Sequence, residues 1–326
     1  MSTSNETRID DAVAALRRGE VIGLPTETVY GLAADASQPA AVAKIFALKG
    51  RPADHPLIVH IADADALPMW AATIPPAARQ LAQAFWPGPL TLILQRTAHV
   101  PDTVTGGQDT VGLRCPAHPL ALQVLRAFGG GLAAPSANRF GRISPTTAAH
   151  VRDEFGAGVP IVLDGGDCAV GIESTIVDLS GDTPRILRPG MISQAQIEAV
   201  IGPVALGSGV HSPRASGTLE AHYAPRTPML MLPRAALENE AQQQRALGKR
   251  VALLALDALP ADSEGEILPN EATAYAHGLY AALRTLDALG ANLLLVERPP
   301  EHGDWLAVHD RLRRATVGAG ADDDAP

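Results

Sequence analysis

The chain has 326 residues, long for one domain and natural for two at roughly 100–200 residues each. Hydrophobic residues make up 46% but aromatics only 4%, so the core must be built from Ala, Val, Leu and Ile, which favours an α/β protein. A net charge of −9 argues against a nucleic-acid coat or a basic membrane-surface protein, and the distant Cys115 and Cys168 suggest neither a disulfide framework nor a zinc site.

Ile9, Val13 and Leu16 share one helical face, Asp10 and Asp11 sit near its start, and Arg17, Arg18 and Gly19 close it. Residues 1–10 are polar rather than signal-like, and no run approaches the roughly 18 apolar residues of a membrane span, so the chain reads as soluble and cytoplasmic. A strand is expected at 21–24. The loop Pro25-Thr-Glu-Thr-Val-Tyr-Gly31 then carries two hydroxyls, a carboxylate and a phenol. Such a loop after a buried strand is where a ligand is gripped, although loop threonines also satisfy their own backbone. Ser37, Gln38 and Pro39 open a helix whose Val42, Ile45 and Phe46 repeat at helical spacing and which Gly50 closes. Lys49 and Arg51 therefore stand at a helix exit, before a loop stiffened by Pro52 and Pro56. Two fixed cations there suit a polyanion such as a triphosphate. The alternative is that both merely complement the helix dipole in water. Residues 57–61 read as an interior strand interrupted only by His60.

A second amphipathic helix is expected at 75–85, broken by Trp86-Pro-Gly-Pro89, with a strand at 90–94. The run 110–114 reads as a strand with Thr110 at its start and Arg114 at its end. Arg114 is costly to bury unpaired, so it points to solvent or meets an anion. Residues 119–128 are helical. Gly129, Gly131 and Ala134 formally fit a dinucleotide-binding pattern, but they follow a helix and precede a strand, the reverse of the order that motif requires. Ser144, with Pro145 at the first helical position, predicts a helix from there to 155. Strands are expected at 161–163, 176–179 and 185–187, with Gly171-Ile-Glu-Ser-Thr175 as a second polar loop. Ser193 and Gln196 make a capping box for a helix ending near 201.

From 202 to 225 the composition shifts to glycine and proline, as in an interdomain linker. Beyond it, strands at 229–232, 251–256 and 292–296 alternate with helices at 234–247, 271–289 and 305–315, the pattern of a small parallel-sheet domain. The expected division is 1–203, a linker at 204–226, a second domain at 227–317 and a disordered tail at 318–326. Phosphate-loop, serine-nucleophile-elbow and metalloprotease motifs are absent. What remains are scattered Lys, Arg, Ser and Thr on loops of the first domain, a donor set suited to positioning phosphates and an anionic co-substrate.

Eight segments occur in register: Pro25-Thr-Glu-Thr-Val-Tyr-Gly31, Lys49-Gly-Arg-Pro52, Pro56-Leu-Ile-Val-His60, Trp86-Pro-Gly-Pro-Leu-Thr91, Ala134-Pro-Ser-Ala-Asn138, Glu173-Ser-Thr175, Leu187-Arg-Pro-Gly190 and His222-Tyr-Ala-Pro225. Together they resemble the YrdC-type threonylcarbamoyl-AMP synthases over about residues 8–226, and the remainder resembles the C-terminal domain of the family's long form. The resemblance implies a twisted mixed-sheet α/β domain with a concave site and a smaller Rossmann-like domain. It implies an enzyme, a nucleotidyltransferase, that condenses L-threonine, bicarbonate or CO2, and ATP into threonylcarbamoyl-AMP and pyrophosphate. Partner proteins would then use the product to modify tRNA.

By matching positions, Thr28, His60, Arg114, Ala134 and Ser174 would hold threonine. Arg51, His55, Thr110, Ser136, Ser144, Arg188 and Tyr223 would hold ATP, with Mg2+ carried on its phosphates, and Lys49 and Arg51 would be the catalytic cations. The metal ligands are left open. Tyr223 implies a linker that folds back as a lid. Three departures stand out: His55 where some relatives have Asn, Ala33 in place of a common Gly, and Arg214 in place of a Gly. Neither stable nucleic-acid binding nor membrane association is expected. A carbamoyl-adenylate-forming module of the hydrogenase-maturation kind is disfavoured, because those proteins carry cysteine-rich zinc segments.

Overall fold

The computed structural model describes residues 2–321, and the chain forms two compact units, one of residues 1–140 with 145–218, the other of residues 141–144 with the chain from 219 onward. Residues 204–226 are thus shared, with 204–218 in the first unit and 219–226 in the second. Of the tail expected to be disordered, Gly318 ends a helix and residues 322–326 lie outside the described residues.

The first unit is built on strands β1 (Ile22–Leu24), β2 (Gly31–Asp35), β3 (Ile58–His60), β4 (Leu90–Gln95), β5 (Thr110–Arg114), β6 (Leu132–Ala133), β7 (Thr175–Asp178), β8 (Arg185–Arg188) and β9 (Ala205–Leu206). They lie in the order β1-β2-β6-β3-β5-β4-β7-β8-β9. The pairs β3–β5, β4–β7 and β8–β9 are parallel and the rest antiparallel, a mixed sheet as expected.

Because side chains alternate along a strand, register assigns each residue to a face. Val59, Val111, Leu113, Leu92 and Val177 face one way and join the main core with Val42 and Ile45 of helix Pro39–Lys49 and Leu81 of helix Pro76–Phe85. On the other face, helices Ser2–Arg17 and Pro119–Phe128 cover only the β1-β2-β6 side, through Leu16, Val124, Ile22, Ala33 and Leu132. The middle of that second face, over β3, β5, β4 and β7, carries the side chains that matter below.

Two expected elements differ. The helix expected from Ser144 starts at Ala148, with Thr147 as its N-cap, because the Pro145 carbonyl is taken by the Tyr30 N–H at 2.9 Å. The strand expected at 161–163 is a single bridge from Val162 to Gly23. Its partner β1 is only three residues long and leaves no room for a ladder.

The second unit has four parallel strands, β10 (Met229–Leu232), β11 (Val251–Leu256), β12 (Glu264–Leu268) and β13 (Leu293–Glu297), ordered β10-β13-β11-β12. Helix Arg234–Ala246 packs Leu237 and Ala241 against Val251, Leu253, Leu293 and Leu295. Helices Ala272–Asp287 and Leu306–Gly318 complete the unit. The sequence reading missed β12. Glu264 and Glu266 mask its pattern, since an edge strand carries charge on its open side.

Candidate active site

Register places five of the expected residues, His60, Thr110, Arg114, Ala134 and Ser174, on one surface. His60 pairs with Arg114 across β3 and β5, and Ile58 with Gly112. Gly112 in turn pairs with Ile93 on β4, and Thr91 with Ile176 on β7. One face of the sheet therefore carries His60, Thr110, Arg114, Thr91 and Ser174 at alternating positions, above an apolar floor of Ile58, Ile93 and Ile176. Ala134, whose N–H bonds to the Ile58 carbonyl at 3.1 Å, continues this face beyond β6.

Arg114 is 4% exposed and meets an anion, but the anion is protein. Its Nη2 lies 2.7 Å from Glu27 Oε1, its Nη1 donates to Thr28 Oγ1 at 2.8 Å, and its Nε donates to the Gly88 carbonyl at 3.3 Å. Glu27 is itself anchored, its Oε2 accepting the Ala117 N–H at 3.0 Å. The guanidinium is held on three sides, and its two further N–H groups are what it can offer a ligand.

His60 sits beside it, 3% exposed, with Nδ1 unpartnered. Burial, reinforced by the Arg114 charge, pulls its pKa down to about 3. The ring is neutral near pH 7. It can orient a ligand but is far too weak a base to deprotonate an ammonium group.

Ser174 and Arg188 form a second cluster. Arg188 donates from Nε to the Ser174 carbonyl at 3.1 Å and from Nη2 to its Oγ at 3.2 Å, while Thr91 Oγ1 lies 2.8 Å from that same Oγ. Gly190 permits this approach, because a Cβ there would stand 2.4 Å from the Thr175 nitrogen.

Arg188 Nη1 reaches the Ser216 carbonyl at 2.8 Å, and Arg51 Nη2 reaches the Ser216 hydroxyl at 3.4 Å and the Pro56 carbonyl at 2.9 Å. Two guanidinium groups from distant parts of the chain thus converge on one residue. Residues 207–218 act as a strap across the polar face. Ala215, like Ile58, packs on Ile93, Ile176 and Leu187, and Arg214 exchanges backbone hydrogen bonds with the Gln108 amide at 2.7 and 3.2 Å. A cavity of about 20 Å³ remains beneath, bordered by Thr91, Thr110, Gly112 and Ser216.

Lys49 and Arg51 are 2% and 8% exposed, so neither is a hydrated partner of a helix dipole. Lys49 Nζ donates to the Ser136 and Asn138 carbonyls at 2.6 and 2.5 Å, fastening the turn that carries Ser136. Burial and the neighbouring Arg51 hold its pKa well below the usual lysine range. His55 lies edge-on to Phe140 at 5.2 Å between ring centroids, and Arg51 lies over the same ring at 5.7 Å. Burial and Arg51 lower the His55 pKa.

Ser144 and Tyr223, expected among the ATP contacts, belong to the second unit. Tyr223 is 1% exposed, at a positive φ of 63°, stacked on Tyr280 at 5.8 Å with the Arg311 guanidinium 5.2 Å from its ring. Among the described residues no group of three or more His, Cys, Asp or Glu is arranged to hold a metal ion, and no helix is long and apolar enough to cross a membrane.

Residues 14–190 match the Sua5/YciO/YrdC family model, described as telomere recombination, and residues 192–317 match the model for the threonylcarbamoyl-AMP synthase C-terminal domain. The threonylcarbamoyl-AMP synthase of Pyrococcus abyssi is 41% identical over 95% of this chain and 94% of its own. This chain belongs to the threonylcarbamoyl-AMP synthase family. The Bacillus subtilis member is 39% identical over 97% of this chain and 95% of its own. The crystal structure of Pyrococcus abyssi Sua5 complexed with L-threonine superposes with a TM-score of 0.90 at 40% identity, covering 95% of this chain and 94% of that one.

Within this synthase-family fold, sequence reading had passed over Glu27, Thr91 and Ser216 as site residues. Thr91 was within reach, since it shares the period-two face of β4 with Ile93. Glu27 and Ser216 were not, because their partners Arg114 and Arg188 are remote in sequence.

Proposed function

We propose that this chain is a nucleotidyltransferase that condenses L-threonine, bicarbonate or CO2, and ATP into threonylcarbamoyl-AMP and pyrophosphate, the activated group that partner proteins transfer to tRNA. The observation that carries this reading is the convergence, on one sheet face, of Arg114 with Thr28 and of Arg51 with Arg188, in a chain of this family.

The remaining N–H groups of Arg114 suit the threonine carboxylate, with Ser174 and Thr28 as neighbouring hydroxyls and Ala134 and His60 on the same face beside them. Threonine's amine must be neutral to capture CO2. His60 cannot accept that proton, so threonine enters as the free amine or loses its proton to solvent. The resulting N-carboxylate attacks the α-phosphate and pyrophosphate leaves. Arg51 and Arg188 exchange their Ser216 contacts for phosphate oxygens and neutralise charge on the transferring and leaving groups, with Thr110, Ser136 and His55 as further nucleotide contacts. Lys49 acts by holding the Ser136 turn. For Mg2+, the donor set at the site is cationic and hydroxylic, with Glu27 already engaged by Arg114. That set fits a metal that arrives coordinated by the triphosphate, where it would add charge neutralisation, rather than one caged by protein.

The test is pyrophosphate release from ATP with each L-amino acid in turn, with and without bicarbonate. Release should require both threonine and bicarbonate. Release that proceeds equally without threonine would overturn the assignment.

A further inference from the structure

Beside β1 the nine-stranded sheet ends on an open edge. The Gly23 N–H donates to the Ile161 carbonyl at 2.8 Å and the Gly23 carbonyl accepts the Leu163 N–H at 3.0 Å, which is the parallel bridge around Val162. Both bonds use the residues on either side of Val162, so the N–H and C=O of Val162 itself face outward. Neither has a hydrogen-bond partner among the described residues. Gly23 lets the segment seat closely, since a Cβ there would stand 2.9 Å from Val162 Cγ1. Natural sheets blunt their edges with charge, as Glu264 and Glu266 blunt β12, whereas residues 160–163 read Pro-Ile-Val-Leu. A cavity of about 340 Å³ lies between this edge and one stripe of helix Ser2–Arg17 and its exit, where Arg8, Asp11, Ala14 and Arg18 follow at three- and four-residue spacing.

An exposed edge captures an extended peptide as an added strand: main-chain hydrogen bonds supply affinity, and the side chains that alternate out of the strand supply specificity. The helix stripe sets that specificity. Arg8 has no ion-pair partner among the described residues, and Arg18 meets Glu20 through Nε and Nη2 at 2.9 and 3.1 Å, which leaves its Nη1 to a ligand. The stripe is therefore cationic at both ends and anionic at Asp11 between them. Ala14, the small residue among them, leaves the room. Ten residues of helix set Arg8 and Arg18 about 15 Å apart along the axis. Four residues of strand span about 13 Å and return to the same face. We infer that this trough docks an extended acidic segment of another protein, added as a strand against Val162, with carboxylates four residues apart on Arg8 and Arg18 and a hydroxyl between them on Asp11. The strands β1, β2, β6 and β3 stand between this edge and β5. Occupancy therefore tethers a partner and leaves pyrophosphate release unchanged.

The test titrates the full chain into a fluorescein-labelled peptide, Thr-Asp-Val-Thr-Val-Asp-Thr, whose two aspartates and central threonine share one strand face. Anisotropy should show saturable binding, and hydrogen exchange should slow at the Val162 amide. Of the two alternate sets of peptide nitrogens, methylating the set that faces the edge should weaken binding at least about fivefold, and methylating the other set should change it less than about twofold. Val162→Pro should cost the same as the first set, because it removes an N–H that the fold leaves unused. Arg8 and Ala14 are exposed, so their substitution spares the core. Arg8→Glu should weaken binding about fivefold, and Ala14→Trp, which fills the trough, about tenfold or more, both with pyrophosphate release within about twofold of wild type. The inference is overturned by a peptide that fails to saturate, by equal binding when lysines replace the aspartates, or by indifference to both methylated sets. It is also overturned if the Val162 amide becomes protected with rising protein concentration and no peptide, since a second copy would then be the occupant.

Discussion

The two sheets of this protein solve opposite problems with the same backbone. In the second unit β13 is buried at all five positions and β11 at five of six, and both read as near-continuous apolar runs, as parallel strands covered on both faces do. In the first unit β5 alternates, with Val111 and Leu113 towards the core and Thr110, Gly112 and Arg114 on the other face. A helix covering that face would demand apolar residues there. The strap instead presents Ser216, Ala215 and Arg214, and so leaves hydroxyls and guanidinium groups in place. The proposed chemistry belongs to the sheet whose second face helices cover only in part.

Four perturbations test this contrast. The largest effect should come from the sealed sheet: Leu295→Ala opens a cavity between β13 and helix Arg234–Ala246 and should cost about 2–5 kcal/mol, read by thermal or denaturant unfolding. Next, Arg114→Ala should cut threonine-dependent pyrophosphate release about 10²-fold or more, because it removes a preorganised charge and strands Glu27. A variant with full activity would take Arg114 out of the mechanism.

Third is pH. The folded pKa of His60, about 3, lies below the ordinary histidine value of 6.5, so the unfolded chain binds more protons between these limits. Stability should therefore fall as pH drops from about 6.5 towards 3, by up to about 1.4 kcal/mol per pH unit from this residue. His60→Gln should flatten that slope in unfolding curves taken at pH 7, 6 and 5. The smallest effect belongs to the strap. Ser216→Ala removes the 2.7 Å bond to the Pro56 carbonyl and should speed proteolytic cleavage within 207–217 about fivefold, an opening easier by about 1 kcal/mol. Unchanged cleavage would mean that Ala215 and Arg214 alone fasten it.

The local signals were legible. The helix at 119–128 and the strands at 110–114, 229–232 and 251–256 stand where periodicity puts them, and Ser193 with Gln196 forms the capping box. What sequence could not convey was long-range partnership. Arg114 had to meet water or an anion, yet nothing local said that the anion would be Glu27 or that Thr28 would share the same guanidinium. Lys49 showed the same limit, because a lysine at a helix exit gives no hint that Ser136 and Asn138 will claim its ammonium. Ser144 failed for a related reason. Its Ser-Pro signal is a sound local start, and a tertiary hydrogen bond to the Pro145 carbonyl overrides it.

The sequestration of Lys49 has a practical corollary. The chain has three lysines, and Lys44 and Lys249 are exposed. Acylating reagents should label those two and spare Lys49, whose amine is both walled off and already donating twice. Covalent inhibitors that seek a surface amine would therefore decorate this protein without touching its chemistry, and a warhead for Lys49 would first have to unmake the turn it secures.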